Sequence, residues 1–280
     1  DVVVLLTGPA SPGSDTPAQV VRRPGGSGAN TAAWLGALGV PTRLVARVGR
    51  AGLDRHAEAL RGCGVQADLV ADPRRPTGTI VVLVRDGDRS FLTDRGANRA
   101  LCAADVSAAV RDGVRHVHLS GYLLGEPPGR RAAARLLAGA RAGGASVSVD
   151  PSSVALLRAL GPATFLAATR GAAVLLPNLA EGRALTGARA PDPVVDALLA
   201  HYPVVALTLG ADGALCADRS GGRVHVPARA VRVVDPTGAG DAFTAGFLAA
   251  WLAGAGLAAA GRSGVRAGAR AVRRLGGRPG

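Results

Sequence analysis

The sequence contains no lysine, because all 33 of its basic residues are arginine. A Walker A phosphate-binding loop needs a lysine beside its serine or threonine, so this class of nucleotide site is excluded. The three cysteines, Cys63, Cys102 and Cys216, are far apart and form no Cys-x-x-Cys pair. Buried thiols in a reducing cytoplasm are therefore expected, rather than a metal site or a disulfide framework.

Aromatic residues are also scarce, at 3% of the chain, whereas the formal net charge is +13. The arginines run from Arg22 to Arg278, and their densest stretch is spaced by about one helical turn. This spread favours a solvated surface over a nucleic-acid site, which needs its charge on one face. No nucleic-acid partner is expected, although a non-catalytic protein that binds polyanions or senses a ligand stays open as the alternative from a different class.

Residues 242–261 carry no charge and are long enough to suggest a membrane span. Alanine and glycine dominate this stretch, and the AGAG sequence at 253–256 interrupts it. The pattern therefore predicts a core helix followed by a turn, and no membrane partner is expected.

With 280 residues, of which 48% are hydrophobic, the chain can bury the core of one large α/β domain. Strand-like apolar runs alternate with helix-like segments, which predicts a mainly parallel sheet covered by helices on both faces. No linker or repeat divides the chain, so residues 1–280 are expected to form a single domain. The predicted strands are 2–6, 43–48, 79–84, 116–120, 146–150, 173–177 and 204–209, and the predicted helices include 30–38, 104–112, 130–142, 180–187 and 193–200.

Residues 77–98 are the exception to this alternation. Two strand-like runs flank an Asp-Gly turn at 86–87, which predicts a β-hairpin. Residues 2–24 and 78–96 are together expected to form a small β lid beside the main sheet. The apolar strand at 79–84 offers an edge to a second copy of the chain, so a homodimer through the lid is a further expectation.

Two glycine-rich stretches precede predicted helices, at the kind of position where open α/β sheets bind ligands. In the first, Gly25, Gly26 and Gly28 lead into a helix that opens near Asn30. Glycines allow backbone amides to approach a ligand, and Asn30 can cap the helix or offer its side-chain amide to a hydroxyl. A plain loop with an N-cap explains this stretch equally well.

The second stretch, DPTGAGDAFTAGF at 235–247, places the amides of Gly238, Ala239 and Gly240 at a helix N-terminus. Such a terminus binds anions, and it holds Asp241 in the first turn, where a carboxylate stays ionised. A favourable first-turn acid is the simpler explanation of Asp241 taken alone. The anion-binding turn and the carboxylate together favour phosphoryl transfer, in which the acid accepts the proton of a hydroxyl.

These two stretches resemble the signature motifs of the ribokinase-like sugar kinases, also called the phosphofructokinase B family. PNLAEGRALTG at 177–187 is similar to that family's Asn-x-x-Glu element, and ALTLGADGAL at 206–215 is similar to its nucleotide-binding strand and turn. The four motifs stand in the family's order over nearly the whole chain. The resemblance implies a ribokinase-like three-layer α/β/α fold and ATP-dependent phosphorylation of a hydroxymethyl group of a small sugar.

The resemblance also implies a role for each matching residue, with ATP, Mg²⁺ and K⁺ as cofactors. Asp241 would be the catalytic base, and the amides of Gly238, Ala239 and Gly240 would form the anion hole for the transferring phosphate. The remaining roles would be sugar binding by Asp1, Gly25, Gly26 and Asn30, nucleotide binding by Asn178, Thr208, Gly210 and Gly213, Mg²⁺ binding through water by Glu181, and a monovalent-cation site at Asp235.

Some residues depart from the family's pattern. Ser27 replaces a lysine of ribokinase, Arg50 replaces the usual aspartate, and Ser120 stands near where ribokinase has a substrate-contacting glutamate. These departures argue against ribose as the acceptor, and they leave open a nucleoside kinase of the adenosine or pseudouridine type and a ketodeoxygluconate-type sugar-acid kinase. The family's first strand precedes the residue that matches Asp1, so that strand is expected to be absent from this chain.

Overall fold

The computed structural model describes residues 1–6, 8–9, 13–85, 88–106 and 113–280. The strands are β1 (Val2–Leu6), β2 (Ala18–Arg22), β3 (Thr42–Gly49), β4 (Val65–Asp72), β5 (Thr79–Arg85), β6 (Asp88–Asp94), β7 (His116–Ser120), β8 (Ser146–Asp150), β9 (Val174–Leu175), β10 (Val204–Thr208), β11 (Ala214–Asp218) and β12 (Arg223–Val226). The helices are α1 (Ser27–Ala37), α2 (Leu53–Arg61), α3 (Pro127–Ala142), α4 (Val154–Leu160), α5 (Pro162–Ala168), α6 (Leu179–Thr186), α7 (Pro191–Leu199), α8 (Ala239–Leu252) and α9 (Leu257–Ala271).

The main sheet has six strands in the order β12-β11-β10-β9-β8-β7. Strands β7 to β10 run parallel, with His116 opposite Ser146 and Val204 opposite Val174. Strands β11 and β12 add an antiparallel edge. Parallel neighbours need crossover connections, which the intervening helices supply. The predicted mainly parallel sheet is therefore confirmed.

Helices cover both faces of this sheet, and each face has its own hydrophobic core. Val205 and Leu207 of β10 belong to one core, which also contains buried residues of α3, α5 and α7. Ala206 belongs to the other core, together with Phe243 and Phe247 of α8. Because side chains alternate along a strand, the uniformly apolar sequence of β10 serves both cores. The predicted three-layer arrangement is confirmed.

A second sheet has four strands in the order β2-β1-β5-β6. Strand β1 runs antiparallel to β2 and parallel to β5. Strands β5 and β6 form the predicted hairpin, in which Thr79 lies opposite Asp94. The Asp-Gly turn assigned to 86–87 lies outside the described residues. Val20, Phe91 and Leu92 are exposed on this four-stranded sheet.

Several elements differ from the sequence-based expectations. The strand expected over 173–177 is only Val174–Leu175, because Pro177 has no N–H group for a strand ladder. Strand β4 was not anticipated, and it pairs with β3 in a parallel two-stranded sheet of its own. Most of the helix expected over 104–112 lies outside the described residues.

The uncharged stretch at 242–261 is divided between two helices. Helix α8 ends at Leu252 and α9 begins at Leu257, with the AGAG sequence in the turn between them. The predicted core helix and turn are confirmed. In the part of the chain that the structure describes, no helix is both long enough and apolar enough to cross a membrane.

Candidate active site

Polar residues gather where the parallel strands of the main sheet end. Strand β7 ends at Ser120, β8 at Asp150 and β10 at Thr208. Asn178, which follows β9, forms a parallel bridge with Thr208. The carboxyl ends of parallel strands lie at one edge of the sheet, which is where α/β proteins bind their ligands.

Helix α8 begins at a glycine turn that has no side-chain cap. Gly238 has a φ of 75°, and a Cβ on it would lie 2.4 Å from the Cα of Gly277, so both conformation and space require glycine. A Cβ on Gly240 would meet no atom within 4 Å. The amide of Ala239 donates a 3.2 Å hydrogen bond to the carbonyl of Pro236. The turn therefore leaves open space at Gly240 for an anion at a helix N-terminus.

Asp241 lies in the first turn of α8 and contacts the glycine-rich loop of α1. Its Oδ2 atom accepts a 2.9 Å hydrogen bond from Nδ2 of Asn30. Burial raises the pKa of Asp241 to about 6, while hydrogen bonds from Asn30 and Ser27 act in the opposite direction. A carboxylate whose pKa lies this close to neutrality can accept a proton from a hydroxyl more readily than an ordinary aspartate can.

Two further carboxylates and a phenol share the electrostatic environment of Asp241. Burial raises the pKa of Asp150 well above its ordinary value, and the charges of Glu181 and Asp241 add to this effect. Burial also raises the pKa of Tyr122, and the same three carboxylates contribute. Asp150 and Tyr122 are not singled out by the sequence analysis. The available signal was the position of Asp150, an acid at the carboxyl end of a buried strand.

Asn178 and Glu181 form a capping box at the N-terminus of α6. The Oδ1 atom of Asn178 accepts a 2.9 Å hydrogen bond from the amide of Glu181, and Oε2 of Glu181 accepts one of 2.9 Å from the amide of Asn178. Helix capping therefore accounts for the Asn-x-x-Glu spacing. Burial raises the pKa of Glu181 to about 7, opposed by the hydrogen bonds of Asn178.

The donor atoms of this region fit a magnesium ion that is held largely by water and phosphate. Mg²⁺ commonly binds one or two carboxylates and completes its shell with waters and substrate phosphates. Oε2 of Glu181 serves the capping box, and its Oε1 atom has no hydrogen bond within the described residues. Among those same residues, no group of three His, Cys, Asp or Glu side chains is placed to hold a metal ion alone.

Gly210 and Gly213 form the turn between β10 and β11, and they differ in their surroundings. Both have positive φ angles, 64° and 92°. A Cβ on Gly213 would lie 2.0 Å from the carbonyl oxygen of Val226, whereas one on Gly210 would meet no atom within 4 Å. The amide of Thr208 donates a 2.9 Å hydrogen bond to the carbonyl of Pro177, which joins this turn to the start of α6.

The predicted sugar-binding residues lie together near Asp241. A Cβ on Gly25 would lie 2.0 Å from Oδ2 of Asp1, so glycine is needed for the carboxylate to approach this loop. Gly26, with a φ of 92°, is the N-cap of α1. Asn30 follows in the first turns of α1, where its side chain reaches Asp241.

Asp235 joins the loop before α8 to the C-terminal segment. Its Oδ1 atom accepts a 2.8 Å hydrogen bond from the amide of Thr237, and its Oδ2 atom accepts one of 2.9 Å from the amide of Gly276. The residue is 6% exposed. A monovalent-cation site at Asp235 stays a prediction.

Known structures share this arrangement of layers. The fructokinase of Vibrio cholerae, solved with fructose, ADP and a calcium ion, matches with a TM-score of 0.82 and 26% identity over 99% of this chain and 92% of that chain. The fold and the acidic site define the chain as a ribokinase-like α/β protein. The model of the pfkB family carbohydrate kinases matches residues 4–280, and the chain belongs to this family.

Two sequence relatives have different names, and this chain covers different shares of their lengths. The bifunctional protein HldE of Caulobacter vibrioides is 34% identical over 272 residues, which are 90% of this chain and 52% of HldE. The ATP-dependent ribose-1-phosphate kinase of Halopiger xanaduensis is 31% identical over 233 residues, 81% of this chain and 73% of that protein. The chain thus spans about half the length of the HldE proteins that it matches. The family predicted from the four sequence motifs is confirmed.

Proposed function

We propose that this protein is an ATP-dependent kinase that phosphorylates a hydroxymethyl group of a small sugar. The observation that carries the proposal is the position of Asp241, a half-buried carboxylate with a raised pKa in the first turn of a helix that begins at an open glycine turn. Phosphoryl transfer needs positioned reactants, donors for the phosphate charge and a proton acceptor. The N-terminus of α8 offers the last two within one turn.

In this mechanism Asp241 takes the proton of the acceptor hydroxyl as that oxygen attacks the γ-phosphate. Asn30 holds the Asp241 carboxylate through its 2.9 Å hydrogen bond. This bond keeps the carboxylate beside the glycine-rich loop at residues 25–28, which is the proposed acceptor loop. The amides of Gly238 and Gly240 would donate to the transferring phosphoryl group, with open space beside Gly240, and the amide of Ala239 would join them by leaving the carbonyl of Pro236.

The other roles follow the arrangement of the site. Asp1, Gly25 and Gly26 would hold the sugar hydroxyls beside Asp241, and Asn178, Thr208, Gly210 and Gly213 would border the nucleotide. Mg²⁺, held near Glu181 through water, would supply charge neutralisation for the phosphates. K⁺ at Asp235 would stabilise the loop that carries the glycine turn, and omission of K⁺ from the assay is expected to lower the rate.

The decisive experiment is an acceptor panel. Purified protein is incubated with ATP, Mg²⁺ and each of a set of sugars, sugar phosphates, sugar acids and nucleosides, and ADP release is measured together with the mass of the product. We expect a phosphorylated sugar for at least one acceptor. A nucleoside as the best acceptor would favour the adenosine-type or pseudouridine-type alternative, and a sugar acid would favour the ketodeoxygluconate-type alternative.

A non-catalytic binding protein is the competing proposal from a different class. It predicts no ADP release with any acceptor and binding to nucleic acid that weakens steeply with salt. The observation that favours this proposal is the net charge of +13, because a strongly basic protein attracts polyanions.

Two further parts of the proposal concern the four-stranded sheet and the cell compartment. We propose that residues 2–24 and 78–96 act as a lid over the sugar, and that their exposed apolar residues, Val20, Phe91 and Leu92, pair with a second copy. Light scattering should then give a dimer that Phe91→Glu converts to monomers.

The free thiols of Cys63, Cys102 and Cys216 support a cytoplasmic location.

A further inference from the structure

Arg278 lies beside the glycine-rich acceptor loop because two buried contacts fix the segment that carries it. The indole Nε1 of Trp34 donates a 2.9 Å hydrogen bond to the carbonyl of Gly277. The amide of Gly276 donates one of 2.9 Å to Asp235. The next residue along the chain, Arg278, then donates from Nη2 to the carbonyl of Gly25 at 3.3 Å.

The guanidinium of Arg278 has more donors than the protein satisfies. Its Nε and Nη1 atoms are buried, and neither has a hydrogen-bond partner in the described residues. Burial lowers the pKa of Arg278, and no carboxylate among those residues forms an ion pair that offsets it. Buried guanidinium donors without acceptors are costly for a protein to retain, and an anionic ligand would remove this cost.

His56 on α2 is a second residue with an unsatisfied buried polar atom, and its pKa responds to the charge of Arg278. Its Nε2 atom is buried and has no partner in the described part of the chain. Burial lowers the pKa of His56, and the positive charges of Arg55, Arg278 and the amino terminus of Asp1 contribute. Arg55 itself is exposed. The carboxylate of Asp1 packs against Gly25 of this loop.

We propose that Arg278 and His56 form a phosphate-binding subsite, and that the acceptor is therefore a sugar that already carries a phosphate group. The proposal rests on the sugar-kinase function and specifies its substrate class. Asp1 packs against Gly25 and would contact hydroxyl groups, whereas Arg278 donates to the carbonyl of the same glycine and would contact the phosphate. The planar guanidinium of Arg278 matches the geometry of a phosphate monoester, and the neutral imidazole of His56 would add an uncharged hydrogen-bond donor.

The test compares phosphorylated and neutral sugars by calorimetry on the intact protein. The pairs are ribose with ribose 1-phosphate, ribose with ribose 5-phosphate, and fructose with fructose 6-phosphate, together with gluconate and inorganic phosphate. We expect at least one phosphate ester to bind at least tenfold more tightly than its neutral sugar. Arg278→Gln should weaken that ester about 10- to 100-fold and the neutral sugar by a clearly smaller factor, as expected when a charge-assisted contact to the phosphate is lost.

Arg273→Gln is the matched control, because Arg273 is an exposed arginine of the same segment. It should retain the preference for the phosphate ester. His56→Gln should lower the preference by a smaller factor than Arg278→Gln. The subsite is overturned if no phosphate ester binds more tightly than its neutral sugar, if gluconate is the preferred anion, or if Arg278→Gln keeps the preference.

Binding and turnover separate this inference from the proposed function. ADP release with a neutral sugar as the best acceptor would keep the kinase function and overturn the phosphate subsite. Arg278-dependent binding of a phosphate ester without ADP release from any acceptor would overturn the kinase function and leave the subsite supported.

Discussion

Helices α6 and α8 both begin at the active-site edge of the main sheet, but their N-termini are completed differently. In α6, the side chains of Asn178 and Glu181 reciprocally satisfy backbone amides. In α8, no side chain caps the helix, and the first turn begins at Gly238 in the left-handed region. A capped terminus has used its donors to stabilise the helix, whereas an uncapped one keeps them for a ligand. The comparison assigns stability mainly to the start of α6 and chemistry mainly to the start of α8.

The largest effect is expected from Asp241→Asn. The substitution keeps an acceptor for Asn30 but removes the proton-accepting carboxylate, so kcat should fall by about 10²- to 10⁴-fold. The measurement is steady-state ADP release at saturating ATP and acceptor. Asp54→Asn is the control, because Asp54 is an exposed first-turn acid of α2, and its kcat should equal that of the parent. An Asp241→Asn variant that retains more than a tenth of the rate would contradict the assignment of the base.

Alanine substitutions of Gly238 and Gly240 at the start of α8 should have different effects, one on stability and the other on activity. Gly240→Ala adds a methyl group to open space, so it should leave the melting temperature unchanged or higher while it lowers kcat/KM for ATP about tenfold. Gly238→Ala forces a Cβ against Gly277 and should cost about 2–4 kcal/mol of unfolding free energy. Urea titration and kinetics of both variants provide the measurement. Equal activity of Gly240→Ala and the parent would argue against phosphate contact at this turn.

The smallest effect is expected at the capped terminus. Asn178→Ala removes the N-cap of α6 and should lower the unfolding free energy by about 1 kcal/mol. Asn178→Ser keeps a capping oxygen and should restore most of that stability. If Asn178→Ser also restores the parent's KM for ATP, Asn178 acts as a cap alone. A KM that stays raised in a stable Asn178→Ser protein would support a direct role in nucleotide binding.

The sequence predicted the elements that depend on local patterns better than the contacts that depend on the path of the chain. The apolar run of β10 and the hairpin of β5 and β6 were readable from composition and turn residues. The capping box of Asn178 and Glu181 was also readable from its spacing, but the family motif drew attention to metal binding instead.

The sequence did not predict which residues, far apart along the chain, come together at the site. The charge of Asp241 contributes to the raised pKa of Asp150, although 90 residues separate the two in the sequence. Arg278 reaches Gly25 only because Trp34 and Asp235 hold the C-terminal segment. These are long-range contacts, and no local pattern in one sequence encodes them. Through such contacts the structure adds Asp150 and Arg278 to the residues of the candidate site.

The pH dependence of kcat/KM shows whether the half-buried carboxylate of Asp241, at the open terminus of α8, accepts the proton of the acceptor hydroxyl. Burial raises the pKa of Asp241 to about 6 and that of Glu181 to about 7. The active form is the deprotonated one, so the rate should be lost as the pH falls through this range, with an apparent pKa that belongs to the coupled carboxylates. We predict a fall of kcat/KM between pH 7 and pH 5 in the folded enzyme. A rate that stays constant down to pH 4.5, with the protein still folded, would contradict the account.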